Sequence, residues 1–278
     1  HDDGREVKQT EKEQMQGVTH YMIDEWNPDE EFNVMIFQKH VKEIMEDIYN
    51  RGKIPILVGG TGFYIQAVLN DIAFTKEKQG DEIRADLQNL AKEKGASYLH
   101  HELQKVDKES AEAIHPNNIK RVIRALEYFQ STGQKFSDHN KEERQKGSPY
   151  NFLYLVLTMN RKVLYERIDK RVDQMMEEGL VKEVKQLLDA GYSRNLVSMQ
   201  GLGYKEIASA LFKECTMEEA VYRLKRDTRH FAKRQMTWFR RERDVTMINK
   251  DNFSNNHEIV NYIMKLAVEK GICSCREG

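Results

Sequence analysis

The stretch RGKIPILVGGTGFYIQAV, residues 51–68, joins a short apolar run to a glycine-rich turn and the start of a helix. Ile54–Val58 is predicted to be a buried strand, because a short apolar run bounded by turn residues is typical of a parallel sheet. The glycines that follow permit positive φ and a close approach of the backbone to another group. The turn from Gly59 to Gly62 is therefore predicted at the carboxyl end of a strand, where open α/β sheets bind ligands.

The helix predicted over Phe63–Leu69 would offer the free N–H groups of its first turn to an anion or to the polar edge of a base. Thr61 would add a hydroxyl group at the same place. A tight turn between strand and helix, without any ligand, explains the spacing equally well. The turn is not a phosphate-binding P-loop, since it lacks the Lys-Ser/Thr ending that contacts phosphate and magnesium.

The residues before this stretch complete a β-α-β pattern. A short strand is predicted at Tyr21–Ile23, and Asn33 is predicted to cap the helix that follows. Apolar residues recur with helical spacing from Val34 to Ile48, and Gly52 marks the end of that helix. Two strands separated by a helix predict a parallel pair with a right-handed crossover.

Composition and length favour a globular protein. The chain has 278 residues, of which 39% are apolar and 32% charged. No apolar run reaches the roughly 18 residues that a membrane-spanning helix needs, and the N-terminal residues lack the apolar stretch of a signal peptide. These features predict a cytosolic protein with no membrane partner. Cys215, Cys273 and Cys275 are expected to be unpaired thiols rather than a disulfide or a metal site.

Residues 76–148 differ in character from the rest of the chain. They are rich in Lys, Glu, Gln and His, show helical periodicity and contain no convincing strand. This composition predicts a helical insertion domain within an α/β core formed by residues 1–75 and 149–278.

One segment of the insertion, AIHPNNIKRVIRALEYFQSTG, has clear helix signals, with Asn117 or Asn118 at its start and Gly133 at its end. Its apolar residues share one face. Three basic residues fall largely outside that face, and they form either a solvated cationic surface or a set of phosphate contacts. They are Lys120, Arg121 and Arg124.

A second passage from strand to helix begins at Phe152–Leu157, which is predicted to be a strand. In the helix that follows, Arg167 and Arg171 are one turn apart, so their guanidinium groups can converge on a single target. Arginine fits a diphosphate because its donors are planar, bidentate and permanently charged. Ion pairs with Glu166 or Asp169 are the alternative.

The strongest local charge lies in RLKRDTRHFAKRQMTWFRRER, residues 223–243, where nine Lys and Arg against two Asp and Glu give +7 in a chain whose net charge is −1. On a helical wheel, the basic side includes Arg226 and Arg229, and the opposite side includes Phe231 and Trp238. One side is predicted to pack and the other to meet anions. Such a helix suits a nucleic-acid backbone, and a basic membrane-surface helix is the alternative.

Five segments together resemble a known family. They are IPILVGGTGFYIQAV, AIHPNNIKRVIRALE, LYERIDKRVDQMMEEGL, SMQGLGYKE and AKRQMTWFRR, and in this order they are similar to bacterial tRNA dimethylallyltransferases, from about Lys8 to beyond Arg240. The resemblance implies an α/β fold with a P-loop NTPase-like parallel sheet core and a helical insertion domain.

The resemblance also implies an activity. Enzymes of this family transfer a dimethylallyl group from dimethylallyl diphosphate to N6 of the adenosine just 3′ of the tRNA anticodon, with the help of magnesium. The adenosine is flipped out of the anticodon loop to reach the diphosphate. The expected partners are therefore a tRNA anticodon stem-loop and dimethylallyl diphosphate, and the expected state is a monomer.

Site residues carried over by motif fall into two groups. Arg167 and Arg171 are similar to arginines that bind the diphosphate, and Thr61 would contact the flipped adenosine while the neighbouring glycines make room for the base. The residues whose stretches match tRNA contacts are Arg84, Lys120, Arg121, Arg124, Gln200, Gly203, Tyr204, Lys205, Lys233, Arg234, Gln235, Trp238 and Arg240.

Two family features are not among the 278 residues. The P-loop that would cradle the diphosphate and the Asp that would act as general base are both expected before residue 1. Smaller departures are Gly201, where alanine is usual, and Asn33, where serine is usual.

Three rival functions stay open on the sequence. A nucleotide kinase-like enzyme would share the β-α-β core but would need a P-loop and has no use for the basic helix. An enzyme that prenylates free adenine nucleotides is a closer rival. The third is a tRNA-binding remnant of the enzyme without catalysis.

Overall fold

A computed structural model describes residues 15–74 and 80–274. The described residues form two compact units. The core unit comprises the part up to Ile65 and the part from Asn151 onward, and the helical unit comprises Gln66–Tyr150. The predicted boundary at residue 76, the start of the family resemblance near Lys8 and the predicted thiol of Cys275 lie outside the described residues.

The core unit contains a parallel pair of strands. Strand β1 (Tyr154–Thr158) pairs with strand β2 (Val245–Asn249), in a register that places Tyr154 opposite Val245 and Thr158 opposite Asn249. Tyr154, Val156 and Ile248 are buried. The prediction of a strand from residue 152 to residue 157 is confirmed within two residues, and the α/β class with a parallel sheet is confirmed with it.

The strands predicted at Tyr21–Ile23 and Ile54–Val58 are wrong. Both segments lack strand structure, and the backbone of residues 54–58 makes no backbone hydrogen bond to any residue that the structure describes. Ile56 and Val58 are 83% and 87% exposed. A strand requires a hydrogen-bonded neighbour, and apolarity alone does not supply one. Of the predicted β-α-β unit, only the helix is present in the described residues.

That helix, α1 (Val34–Asn50), matches the sequence prediction closely. The Asn33 side chain accepts hydrogen bonds from the backbone N–H groups of Met35 and Ile36, at 2.9 and 3.1 Å. At the other end, Gly52 adopts a φ of 66°, which a residue with a side chain rarely tolerates. Helix α2 (Gly62–Leu69) begins at the last glycine of the GGTG turn.

The helical unit contains five helices and no strand in its described part from residue 80 onward. Its buried residues include Leu99 and Leu103 on one helix and Val122 and Leu126 on another, and these apolar faces form one core. Gly133 takes the left-handed conformation and ends the helix that carries Val122, as predicted. The helices are α3 (Gly80–Lys94), α4 (Ala96–Val106), α5 (Lys108–Ala113), α6 (Ile119–Thr132) and α7 (Phe136–Gln145).

The core unit has its own apolar core, which is formed by the part of the chain between β1 and β2. Val172, Val184, Met199, Ile207 and Leu224 are buried together there. They come from α8 (Arg161–Glu177), α9 (Leu180–Asp189), a 3₁₀ turn (Ser198–Gln200), α10 (Tyr204–Leu211) and α11 (Met217–Phe239). A second 3₁₀ turn (Lys250–Asn252) and α12 (Asn256–Glu269) follow β2.

Two further observations bear on the sequence predictions. Cys215 and Cys273 are free thiols in the described part of the chain. Among the helices of residues 15–74 and 80–274, none combines the length and apolarity needed to cross a membrane.

The Asn33 cap yields a prediction about stability. Asn33→Ala should lower the free energy of unfolding by about 1 kcal/mol, because two N–H groups at the start of α1 lose their acceptor. Urea denaturation would measure the change. Asn33→Ser is the matched control, since serine also caps helices. An alanine variant as stable as the serine variant would contradict the capping role.

Candidate functional site

The GGTG turn begins helix α2. The N–H groups of Tyr64 and Ile65 donate to the Thr61 carbonyl oxygen, at 3.0 and 3.3 Å, so Thr61 stands immediately before the first helical turn. The Thr61 side chain is exposed, whereas Gly62 is buried. The turn therefore presents a hydroxyl group to solvent while its glycine backbone faces other parts of the core unit.

Two side chains of helix α11 lie against the glycines of this turn. A β-carbon at Gly60 would lie 2.2 Å from Nε2 of Gln235, and one at Gly62 would lie 2.2 Å from the indole ring of Trp238. Both distances are far below van der Waals contact. The Gln235 amide also donates to the Gly60 carbonyl oxygen at 2.8 Å.

This contact gives the glycines a role that sequence reasoning missed. The sequence suggested that they make room for a base, and the structure shows Gln235 and Trp238 in the space beside Gly60 and Gly62. No local signal links residue 60 to residue 235, because the two are distant in sequence. The packing brings Thr61, Gln235 and Trp238 into one site.

An aromatic surface borders the same turn. The ring of Phe63 meets the indole of Trp238 edge to face, with centroids 6.4 Å apart, and the two side chains are 40% and 39% exposed. The sequence placed Trp238 and Phe231 on the packed side of α11, but both are exposed, while Leu224 and Phe239 are buried. Exposed aromatic faces of this kind can stack on nucleic-acid bases.

The basic residues in the first part of α11 are paired with carboxylates. Arg229, which the sequence placed on the anion-facing side, is only 24% exposed and bonds to a carboxylate of α8. Arg226 is likewise paired, and its hydrogen bond lowers the pKa of Asp227. The four pairs are Arg223 with Glu219 (2.5 Å), Lys225 with Asp173 (2.6 Å), Arg226 with Asp227 (2.7 Å) and Arg229 with Asp169 (2.5 Å).

The end of α11 is different. Lys233, Arg234, Arg240 and Arg241 are exposed, and none of them forms an ion pair with a carboxylate that the structure describes. The Arg234 guanidinium lies over the ring of Phe231, 5.7 Å from its centroid. These four residues are called the free cation cluster below. Lys233 and Arg234 lie on the same part of the helix as Gln235 and Trp238, and Arg240 and Arg241 follow directly after its last residue.

Helix α8 carries the two arginines predicted to bind diphosphate. Both Arg167 and Arg171 are exposed. The alternative of a pair with Asp169 does not occur, because Asp169 is bonded to Arg229. No ion pair joins Arg167 or Arg171 to Glu166 or to any other carboxylate in the described residues. The two guanidinium groups therefore remain available to an anion.

The segment from Gln200 to Lys205 forms a tight turn before α10. Gln200 donates to the Arg194 carbonyl oxygen at 2.7 Å, and the N–H of Gly203, whose φ is 102°, donates to Glu206 at 2.9 Å. Burial raises the pKa of Tyr204, whose hydroxyl group donates to Glu183. Gly203 and Tyr204 thus shape the turn. Of the residues predicted here, Gln200 keeps an exposed side chain, whereas Lys205 is half-buried and its amine lies 3.4 Å from a carboxylate oxygen of Glu206.

In the helical unit, Arg84 on α3 and Arg124 on α6 both contact Glu127. Lys120 and Arg121 are exposed on α6, without an ion pair to any described carboxylate. Glu127 was not among the residues singled out from the sequence. Its position three residues after Arg124, on the same face of a helix, is the local signal that would have pointed to it.

A metal cage is absent from the part of the chain that the structure describes. No group of three or more His, Cys, Asp or Glu side chains in residues 15–74 and 80–274 is arranged to hold a metal ion. Magnesium often binds through substrate phosphates and only one or two carboxylates, so this finding concerns protein ligands alone.

The core unit combines a glycine turn, exposed aromatic faces and cations that have no carboxylate partner among the described residues. These features are typical of the class of proteins that bind anionic, base-containing molecules. The sequence match identifies a specific family within this broad class. Residues 7–242 match the model of the IPP transferase family, so the chain belongs to that family.

Curated relatives agree with this assignment. The tRNA dimethylallyltransferase of Lachnoclostridium phytofermentans is 56% identical over 260 residues, which cover 94% of this chain and 83% of that protein. The tRNA dimethylallyltransferase of Bacillus cereus strain AH187 is 48% identical over 253 residues, which cover 91% of this chain and 79% of that protein. The family resemblance predicted from the five segments is confirmed.

Solved structures are also similar. The full-length tRNA isopentenylpyrophosphate transferase from Bacillus halodurans has a TM-score of 0.66 at 42% identity, over 93% of this chain and 82% of that one. A eukaryotic dimethylallyltransferase acting on tRNA has a TM-score of 0.74 at 25% identity, over 92% of this chain and 68% of that one. This likeness confirms the P-loop-like α/β fold class.

The contact of Trp238 with the turn yields a prediction about Gly62. Gly62→Ala should lower the free energy of unfolding by about 1–3 kcal/mol, because the added methyl group must displace the indole ring. Urea denaturation would measure this loss. Gly59→Ala is the matched control, since a β-carbon at Gly59 has no atom within 4 Å. Equal stability of the two variants would contradict the close packing.

Proposed function

We propose that this protein is a tRNA dimethylallyltransferase, which moves a dimethylallyl group from dimethylallyl diphosphate to N6 of the adenosine just 3′ of the tRNA anticodon. The single observation that carries the proposal is the contact of Gln235 and Trp238 with the turn that holds exposed Thr61, at the same end of helix α11 as the free cation cluster. Family membership and the printed activity of relatives up to 56% identical support it.

The chemistry defines what the site must do. The N6 amine forms a bond to the first carbon of the dimethylallyl group, while the bond from that carbon to the diphosphate oxygen breaks with its electron pair. The amine loses one proton to a base. An exocyclic amine is a weak nucleophile, so orientation of the base and stabilisation of the departing diphosphate supply most of the catalysis.

We assign the tRNA side of the reaction to the turn and to the end of α11. Thr61 would contact the flipped adenosine, and the exposed faces of Phe63 and Trp238 would stack against a base of the loop. The free cation cluster would contact backbone phosphates, which position an RNA without reading its sequence. Gln200 and Lys205 would add contacts from the turn before α10.

The departing diphosphate is assigned to α8. Arg167 and Arg171 lie one turn apart and have no carboxylate partner among the described residues, so both can donate to the same diphosphate. Magnesium, when bound, would offset charge on the diphosphate. A tRNA substrate agrees with the cytosolic location expected from the sequence.

A transfer assay tests the proposal. The protein would be incubated with an unmodified anticodon stem-loop, magnesium and dimethylallyl diphosphate, and the digested RNA analysed by mass spectrometry. N6-dimethylallyladenosine at the nucleotide next to the anticodon is the expected product, and a stem-loop with guanosine there should give none.

The other outcomes separate the rival functions. Binding of the stem-loop without product would favour a tRNA-binding remnant without catalysis. Product on free AMP or ADP, with none on RNA, would favour an adenine-nucleotide prenyltransferase. A protein that neither binds the stem-loop nor forms product would contradict the proposal.

The free cation cluster predicts a salt-dependent affinity. Lys233→Ala combined with Arg234→Ala should weaken stem-loop binding at least tenfold and lower the slope of log affinity against log salt by about 2, since two phosphate contacts are lost. Lys265→Ala with Lys270→Ala removes the same charge from α12 and the residue that follows it, and is the control. An unchanged slope in the first variant would mean that the cluster is only a solvated surface.

The arginines of α8 predict a loss of diphosphate binding. Arg167→Ala and Arg171→Ala should each weaken the binding of dimethylallyl diphosphate by about 10- to 100-fold, because hydrogen bonds to a charged group contribute about 1.5–3 kcal/mol. Titration calorimetry with magnesium present would measure the affinity. Lys170→Ala is the charge-matched control on the same helix. If both arginine variants bind like this control, the assignment is wrong.

A further inference from the structure

Three charged side chains meet inside the helical unit. Glu127 on α6 accepts from Arg84 of α3, with Nη2 at 2.9 Å from Oε1 and at 3.0 Å from Oε2, and with Nε at 3.2 Å from Oε2. Arg124, one turn before Glu127 on α6, donates to Oε1 at 3.4 Å. Both arginines therefore share one carboxylate.

Burial differs sharply within this group. The Glu127 side chain is 6% exposed, whereas the side chains of Arg84 and Arg124 are 44% and 42% exposed. The carboxylate thus lies behind the two guanidinium groups, and they lie at the surface. A buried carboxylate needs a charged partner, and a single bidentate arginine already meets that need. The second arginine leaves the group with an excess positive charge.

The contact with Glu127 restricts the rotamers of the Arg84 side chain more than those of an ordinary surface arginine are restricted. A free arginine side chain loses substantial rotamer entropy when it binds a target, and a bidentate contact to a fixed carboxylate removes that freedom beforehand. A guanidinium group has five donors, so the contact with Glu127 leaves others available. The arrangement holds two adjacent cations at the surface in a fixed orientation.

We propose that Glu127 is a positioning residue, which holds Arg84 and Arg124 as one preformed pair for an RNA phosphate. The inference rests on the proposed function, because it takes tRNA as the partner. Glu127 itself contacts no RNA and acts only through the two arginines. The competing explanation is that the ion pairs merely fasten α3 to α6.

A double-mutant cycle distinguishes these explanations. The variants are Arg84→Ala, Glu127→Gln and the combination of the two, with Glu109→Gln as the matched control. Glu109 belongs to the same unit and pairs with Lys141 at 2.5 Å, but its side chain is 56% exposed. For each variant, stem-loop affinity at several salt concentrations and urea denaturation would be measured.

The positioning role predicts a distinctive pattern. Arg84→Ala should weaken binding about tenfold and lower the salt slope by about 1, because a phosphate contact is lost. Glu127→Gln should weaken binding to a similar extent with no decrease in slope, because both cations remain but their orientation is lost. The combined variant should lose clearly less affinity than the two single losses added together, since non-additivity marks residues that act together and only the positioning of Arg124 remains to be lost. Glu109→Gln should bind like the unmodified chain.

Other outcomes overturn the inference. A Glu127→Gln protein that is less stable yet binds the stem-loop normally would show that the pairs only fasten the helices. Additive losses in the combined variant would show that Glu127 and Arg84 act separately.

A second substitution covers the case in which Glu127→Gln does not fold. Arg84→Lys keeps the charge but loses the bidentate contact, so it should weaken binding nearly as much as Arg84→Ala, and full affinity would overturn the inference. These failures leave the proposed function intact if the unmodified chain binds the stem-loop. Absence of binding by the unmodified chain would overturn both.

Discussion

The close packing of helix α11 against the GGTG turn is the contact on which the rest of the site depends. Gln235 and Trp238 occupy space that any side chain at Gly60 or Gly62 would fill, and the Gln235 amide also bonds to the turn. This contact joins parts of the chain that are far apart in sequence, since Gly60 and Gln235, which share the hydrogen bond, are separated by 175 residues. Thr61 is thereby brought close to helix α11. Glycine is required here by protein packing, whatever substrate also approaches.

The chain is nearly neutral overall, and the pattern of ion pairs determines which of its cations remain available to bind an anion. Asp169 on α8 pairs with Arg229 on α11, and Asp173 on α8 pairs with Lys225 on α11. These two ion pairs join the helices. The same pairing leaves the arginines of α8 and the free cation cluster without carboxylates among the described residues. Exposed ion pairs contribute little to stability, and their larger effect here is to divide α11 into an ion-paired part and a part whose cations have no carboxylate partner among the described residues.

Local signals were sufficient where a helix carries its own caps. Asn33 and Gly133 lie at helix ends and make those ends predictable, because capping involves neighbouring residues. The strand at Ile54–Val58 was mispredicted because apolarity does not reveal whether a pairing strand is present. The ion pairs of Arg229 and Glu127 were missed for a similar reason, since their partners are 60 and 43 residues away. Five segments in family order identified the function better than any one motif.

Photo-cross-linking tests the central claim most directly, namely that the GGTG turn and the end of α11 form one tRNA site. An anticodon stem-loop with a photoreactive adenosine analogue next to the anticodon would be irradiated on the protein, and the cross-linked peptides identified by mass spectrometry. The account predicts cross-links within residues 59–64 and 231–241. Cross-links confined to the ion-paired residues 217–229, or absent from both predicted segments, would contradict it.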